Sequence, residues 1–520
     1  MTTHLSLELT PHHQQLLSLT IPESLDLAAR TWPDKGAFHF VESAQRMTWA
    51  TLRTAVSRVR SALESRGLRP GEKVGIMLRN QAEFPLTWLA VIEAGAVAVP
   101  LNPKYTRREV DFVLNDSGAS WLVAAEDLHP LIDGAVPAER VILTGPQFDA
   151  LLTHAVTDRT HQAGRLDVVG IQFTSGTTGL PKGCLLTHEY WLEIGVHTAA
   201  LFDDPQEFLA NSPFYYMQNQ AYFMMALAAG GRLHVTPGLS RRKFMGWLID
   251  HDIDFAWIDE GLLDLEPSEL DRRLKLKKAP VEALTPSLHR PLEERFGLMA
   301  RELYGSTEIG SGTFVPWHRT DLVGSGSMGW CMPNRESKVI DSAGAEVPPG
   351  EPGELCLRGP GMMLGYHNRP EVNAELFLPG GWFRTGDIVR KTAEGEHFYI
   401  GRTKDMIRRS GENISAVEVE QHIAALAGVL EVSVIPVPDP KREEEVKAII
   451  ALKPDSTLTV AEVLSWCRQG LAPFKVPRYV EFRDALPHTP SGKIAKEKLK
   501  AEDPFAGDVT DAQSLTADPV

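Results

Sequence analysis

Cysteine is scarce: Cys184, Cys331, Cys356 and Cys467 are the only four in 520 residues, far apart and without metal-ligand spacing. That pattern argues against a disulfide scaffold or a cysteine-rich zinc module, and the thiols read as reduced, packed residues of a cytoplasmic protein. Excess positive charge is also missing. Lys and Arg number 53 against 68 Asp and Glu, a net charge of −15. Non-specific nucleic-acid binding needs a basic footprint, so no nucleic-acid partner is expected, and the acidity mainly keeps the chain soluble. An enzyme of this charge that binds an anion must concentrate its positive groups locally. No apolar run approaches the ~18 residues of a membrane span. The N-terminus is polar and His-rich rather than basic and then apolar, unlike a signal peptide. Internal repeats and low-complexity linkers are absent as well.

What is present is ordinary globular composition, 43% hydrophobic and 23% charged, in a chain longer than one core usually serves. At least two domains are expected. Leu52, Val56, Val59 and Leu63 recur at helical spacing, and Gly67 stops that helix. Val74–Leu78, Val97–Leu101 and Trp121–Ala125 read as buried strands, with helices at Phe84–Ala94 and Arg107–Leu114 between them. Strands alternating with helices imply a parallel sheet covered on both faces. The alternation resumes around Tyr222–Leu227, Arg232–Val235, Phe244–His251 and Phe255–Ile258. From about Gly324 short strands such as Glu354–Arg358 and His397–Ile400 are punctuated by Gly and Pro. A compact α+β unit follows, with a helix over Val417–Leu426, strands at Val432–Pro436 and Val446–Leu452, and a helix over Val460–Leu471. The fold class expected is α/β. A large N-terminal domain with doubly wound sheets spans 1–401, including a β-rich subdomain over 324–401. A hinge at 402–405 and a small, mobile α+β domain over 406–503 follow. Residues 504–520 are polar, acidic and aperiodic, and read as a disordered tail.

The most informative run is Thr174-Ser175-Gly176-Thr177-Thr178-Gly179-Leu180-Pro181-Lys182-Gly183, set between the apolar stretches Val168–Phe173 and Cys184–Leu186. Glycines let backbone N–H groups approach an anion, hydroxyls add donors, and lysine adds a point charge. Those are the parts of a triphosphate grip. The Gly-Lys-[Ser/Thr] ending of a Walker A loop is missing. A polar turn between two strands is the plain structural alternative. Four more segments follow in order: Tyr304-Gly305-Ser306-Thr307-Glu308, Trp382-Phe383-Arg384-Thr385-Gly386-Asp387, Gly401-Arg402-Thr403-Lys404-Asp405 with Gly411-Glu412-Asn413-Ile414, and Pro490-Ser491-Gly492-Lys493-Ile494.

These five ordered blocks resemble the signature of the adenylate-forming family, which comprises acyl-CoA synthetases, peptide-synthetase adenylation domains and firefly-type luciferases. The resemblance extends over roughly residues 20–500 and is nearest to a freestanding acyl-CoA synthetase. It implies that a carboxylate attacks the α-phosphate of ATP, giving an acyl-adenylate and pyrophosphate, and that the thiol of coenzyme A then displaces AMP. Two anions that repel each other must be neutralised, which calls for lysines, Mg²⁺ and backbone donors. By resemblance Thr174, Ser175, Gly176, Thr177, Thr178, Gly179 and Lys182 hold the β- and γ-phosphates. Thr307 touches the α-phosphate and Glu308 ligates Mg²⁺, although an isolated Thr-Glu pair more often starts a helix. Tyr304 stacks on adenine within the Tyr304-Gly305-Ser306 segment. Asp387 and Arg402 take the ribose. Lys493 reaches the carboxylate and α-phosphate as a transition-state charge partner. Lys404 matches the hinge, and Gly411, Phe474 and Lys475 match the coenzyme A tunnel.

The acyl pocket departs from common family patterns. Tyr216, in Pro213-Phe214-Tyr215-Tyr216, stands where many relatives have His, and Lys278-Ala279-Pro280 replaces a Gly-Ala-Pro run. Tyr216, Trp257, Ala279, Pro280, Gly305, Ile309 and Gly310 are the expected lining. The run Trp257-Ile258-Asp259-Glu260 is too acidic for a fatty-acyl tunnel. Its carboxylates are either solvated loop residues or part of a pocket for a polar or cationic acid, with Trp257 and Tyr216 as cation–π partners. The expected substrates are a small carboxylic acid, ATP and coenzyme A. Loading of a separate carrier protein and a non-catalytic nucleotide-binding role are the alternatives, and a homodimer remains open.

Overall fold

The computed structural model describes residues 5–174, 181–409, 412–489 and 492–514. They divide into two compact units. One is built from 5–174, 181–336 and 357–382; the other from 337–356 and the described residues from 383 on.

In the first unit a six-stranded sheet runs in the order Val141–Leu143, Trp121–Ala124, Lys73–Met77, Val97–Pro100, Val168–Thr174, Lys182–Thr187. The pairings are parallel except the last, where Val168–Thr174 and Lys182–Thr187 are antiparallel. The central strands are continuous apolar runs because helices cover both faces. The crossover helices carry their own local instructions. In Arg107–Ser117, Thr106 and Glu109 form a capping box and Gly118 ends the helix at φ 70°. In Trp49–Ser65 the expected stripe of Leu52, Val56, Val59 and Leu63 is fully buried. A second sheet has the order Gln45–Thr48, Gly36–Phe40, Arg232–Val235, Glu207–Ala210. Beyond it Phe255 makes a single parallel bridge to Phe208 rather than a full strand. There the Asp254 carboxylate accepts the N–H groups of Gln206 and Glu207 at 3.0 and 2.8 Å, so a side chain does work that a strand's carbonyls would otherwise do. The stretch Tyr222–Leu227 lies inside the helix Met217–Ala229. Strand Lys278–Val281 runs parallel to Met299–Ser306, which turns back into Gly310–Phe314.

The second unit contains a sheet ordered Glu412–Ser415, Met406–Arg409, Glu443–Leu452, Tyr479–Arg483, Val509–Asp511, with Val429–Asp439 antiparallel to Glu443–Leu452. Helices Ala416–Ala424 and Val460–Gly470 pack Val419, Ile423, Val463 and Leu464 onto Ile407, Val434, Ala448 and Val480. Residues 337–356 and 383–401, read from sequence with the large domain, belong to this compact unit. Strand Trp382–Lys391 pairs with His397–Arg402, and the Ser415 hydroxyl donates to the carbonyl of Ile400.

One expectation fails here. Residues 504–514 are not a structureless tail: Val509–Asp511 adds an antiparallel edge strand to Tyr479–Glu481. Arg478 holds Asp511 by an ion pair at 3.1 Å, and the Lys447 ammonium donates to the carbonyl of Pro504 at 2.7 Å. A three-residue edge strand is too short to show periodicity, so backbone pairing decided what composition could not.

Candidate active site

The glycine- and threonine-rich run joins two antiparallel strands whose ends are Thr174 and Lys182, register partners in the ladder. Ser175, Gly176, Thr177, Thr178 and Gly179 lie outside the described residues. The arms alone place Lys182 beside the loop's first hydroxyl, whose Oγ1 donates to the Lys182 carbonyl at 3.4 Å. Segment Leu364–His367 runs alongside the second arm. Leu185 N–H donates to Gly365 O at 2.9 Å, Leu364 N–H to Leu185 O at 3.0 Å, and His367 N–H to Gly183 O at 2.8 Å. This rung puts Tyr366 under the lysine, with the ammonium 5.3 Å from the ring centroid.

Tyr304, Gly305 and Ser306 end the strand Met299–Ser306, and Thr307, Glu308 and Ile309 form the turn into Gly310–Phe314. The Thr-Glu pair therefore sits in a three-residue hairpin loop, not at a helix start. Gly310 closes the loop at φ 64°, the left-handed position such a turn requires. Gly305 is needed for a neighbouring reason, because a Cβ there would overlap the carbonyl oxygen of Gly310. Glu308 points at the segment beside the second arm: its Oε1 accepts the Tyr366 hydroxyl at 2.7 Å. Lys182, Tyr366 and Glu308 thus form one constellation, built from a hairpin arm, a rung and a turn that are far apart in sequence.

Arg335 fixes the turn from below. Its guanidinium is buried and donates to Ile309 O at 2.9 Å, to Gly361 O at 3.2 Å and to the carbonyl of Pro360. Burial pushes its pKa down to about 10. Neither Tyr366 nor Arg335 belongs to a signature block. The available signal was a charged residue closing the apolar stretch Trp330–Met332.

Tyr216 precedes the helix Met217–Ala229 and is half-buried, its hydroxyl accepting from Asn102 at 3.4 Å while burial raises its pKa. The aromatic segment before it is suspended from three amides, Gln172 and Gln220 buried and Asn80 half-buried. Asn80 donates to Ser212 O and accepts from Phe214 N–H, both at 2.8 Å. Gln172 donates to Tyr215 O and Gln220 to Phe214 O, also at 2.8 Å. Sequence reading missed this amide set because its members are far apart in the chain and none lies in a signature block. Trp257 is half-buried, Ile309 and Gly310 are buried, and Ala279 and Pro280 are buried in the strand Lys278–Val281. Asp259 is exposed and caps Gly261 N–H at 2.7 Å, whereas Glu260 accepts Thr285 N–H at 3.0 Å. Asp259 thus caps its own turn in solvent, whereas half-buried Glu260 ties its loop to Thr285, 25 positions on.

In the second unit Asp387 and Arg402 are cross-strand partners, their side chains paired at 3.0 Å. Gly386, at φ 74°, donates to Glu354 Oε1 at 3.1 Å, and Arg384 holds Glu354 at 2.8 Å. The carboxylate of Asp387 is thus presented from a braced strand. Lys404 lies in the short turn Thr403–Asp405, where Lys500 donates to its carbonyl at 3.2 Å and to Asp405 at 2.7 Å. Burial lowers the pKa of Lys404. Lys493 is exposed, and its carbonyl accepts the Thr489 N–H at 2.7 Å. Phe474 is surface-exposed and Lys475 is paired with Glu418 at 2.6 Å. Gly411 lies outside the described residues.

The AMP-binding enzyme family model matches residues 25–367, and the AMP-binding enzyme C-terminal domain model matches residues 418–493. The crotonobetaine/carnitine–CoA ligase of Salmonella arizonae is 31% identical over 508 residues, covering 91% of this chain and 98% of that protein. Among solved structures, ATP-bound MatB from Rhodopseudomonas palustris matches with a TM-score of 0.84 at 26% identity, over 92% of this chain and 98% of that one. The anthranilate CoA ligase AuaEII, in complex with anthranoyl-AMP, matches with a TM-score of 0.84 at 25% identity, over 95% and 98%.

Proposed function

Because the chain belongs to the AMP-binding enzyme family and is an ATP-dependent, AMP-forming acyl-CoA ligase, we propose that its acid is small and polar, with a betaine-type cation the favoured class. The observation that carries the chemistry is the convergence of Lys182 and Glu308 on Tyr366. A cation and an anionic oxygen ligand held by one phenol suit a polyphosphate carrying a divalent metal.

In the first half-reaction the acid's carboxylate oxygen bonds to the α-phosphorus of ATP and the bond to pyrophosphate breaks. Lys182 and the hydroxyls of the Thr174–Thr178 region hold the β- and γ-phosphates. Thr307 donates to the α-phosphate, Tyr304 stacks on the adenine, and Asp387 with Arg402 binds the ribose. Glu308 fits a Mg²⁺ ligand, because a carboxylate is the hard oxygen donor this ion prefers. When bound, Mg²⁺ would offset phosphate charge. Lys493 neutralises charge between carboxylate and α-phosphate. In the second half-reaction the coenzyme A sulfur bonds to the acyl carbon, and the bond to AMP breaks. Rotation about residues 402–405, with Lys404 at the hinge, withdraws Lys493 and brings up the Gly411 loop, with Phe474 and Lys475 beside the thiol tunnel.

The substrate class rests on two supports: Tyr216 and Trp257 as aromatic lining, and similarity over 91% of the chain to a crotonobetaine/carnitine–CoA ligase. A cation over an aromatic face gains about 0.5–2 kcal/mol, a few-fold to ~30-fold preference. Pyrophosphate release, screened over aliphatic, aromatic, dicarboxylic and betaine-type acids with and without coenzyme A, should be fastest with betaine-type acids. Trp257→Ala should cost such an acid more than its neutral isostere. Preferred turnover of long-chain fatty acids would reject the compact pocket, and an adenylate that free coenzyme A did not discharge would point to carrier-protein loading.

A further inference from the structure

The second sheet of the first unit carries a cluster that adenylate chemistry does not use. His39, on Gly36–Phe40, and His234, on Arg232–Val235, are register partners on adjacent parallel strands, so their side chains leave on one face. His251, directly after the helix Arg241–Asp250, closes over them. Its ring centroid lies 4.7 Å from that of His234 and 5.1 Å from that of His39. Nδ1 of His39 is 3.1 Å from Nδ1 of His234, and one nitrogen from each of the three rings falls within 4.8 Å of the others.

The orientation of His234 is set from behind. Glu207, on the next strand, accepts its Nε2–H at 2.7 Å, and Arg232 grips the same carboxylate at 2.9 and 2.7 Å. With Nε2 protonated, the Nδ1 lone pair of His234 faces the cluster. A carboxylate behind an imidazole is the arrangement that orients metal-bound histidines. A hydrogen-bonded His39–His234 pair accounts for one nitrogen contact. It does not account for a third ring brought into the same space.

We propose that His39, His234 and His251 form a three-histidine site for a divalent transition metal, with zinc the expected ion and Glu207 as the residue that orients His234. Three imidazole nitrogens with no oxygen donor suit zinc, copper, nickel or cobalt and disfavour Mg²⁺ and Ca²⁺. This separates the site from the Mg²⁺ position at Glu308. His39 and His234 are buried and His251 is half-buried, so the cluster has a closed floor and a solvent-side entry. Nearby charges oppose each other, Arg46 and Arg232 against Glu207 and Asp250. Three protein ligands leave one tetrahedral position for water. The bound ion would tie two sheet strands to the end of a helix, a structural clamp on the large unit.

The test uses untagged full-length protein, stripped with a chelator and titrated with Co²⁺ and then Zn²⁺ without ATP. The expected result is one Co²⁺ bound with a tetrahedral nitrogen-ligand spectrum, displaced by Zn²⁺ and not by excess Mg²⁺. A zinc-dependent rise in Tm should accompany it. His251→Gln, at a half-exposed helix end, should fold and weaken binding by at least the ~10–100-fold that loss of an outer partner costs. His129→Gln, at an exposed histidine elsewhere, should bind as the wild type does. Absence of stoichiometric uptake, or equal uptake by wild type and His251→Gln, would overturn the proposal.

Discussion

Lys493→Ala is expected to lose acyl-adenylate formation by about 10²–10³-fold, the scale on which removal of a transition-state charge partner acts. Pyrophosphate exchange with saturating acid and ATP would measure it. The lysine side chain is exposed, while its carbonyl accepts the Thr489 N–H at 2.7 Å and the Gly492 N–H donates to Thr489 O at 2.9 Å. These are backbone bonds, so the substitution leaves the fold intact. Conversion of chemically supplied acyl-adenylate to the thioester should survive, because Lys493 is assigned to the first half-reaction alone. Lys404→Pro should give the mirror image. Proline fixes φ near −65° and removes a donor, so thioester formation should suffer more than adenylation. Equal loss of both half-reactions in Lys493→Ala would defeat the two-orientation mechanism for this chain.

The second large effect is expected at Lys182. Its ammonium sits over Tyr366 at the end of a strand, where its register partner is Thr174, so Lys182→Ala removes the proposed phosphate-binding cation without opening a core cavity. Adenylation should fall by about two orders of magnitude, with a raised KM for ATP and an unchanged Tm. Tyr366→Phe is the informative comparison. It keeps the ring beneath the lysine and deletes the 2.7 Å hydrogen bond to Glu308. A hydrogen bond to a charged group contributes about 1.5–3 kcal/mol, roughly tenfold to hundredfold, and the loss should appear mainly in the Mg²⁺ requirement. Wild-type pyrophosphate release by Lys182→Ala would remove the phosphate assignment altogether.

The sequence by itself determined the family of the protein and the order of its signature blocks. A phosphate grip needs consecutive glycines and hydroxyls. Helix ends need local caps such as Thr106, Glu109 and Gly118, and covered strands need unbroken apolar runs, so each of these is written within a few neighbouring positions. The tertiary structure decided what long-range proximity alone creates. Tyr366 reaches Glu308 across 58 positions, and Arg335 holds the turn at Ile309 from 26 positions away. The amides of Asn80, Gln172 and Gln220 suspend the segment before Tyr216 from three separate elements. The strand Val509–Asp511 exists because Tyr479–Glu481 offers it a free edge. His39, His234 and His251 meet because two parallel strands fall into register beside a helix end. None of these residues has a local reason to be singled out. A lone Tyr, Arg or His in an apolar stretch satisfies helix or strand propensity equally well wherever its partner lies. Only the closure of the chain into sheets supplies the partner.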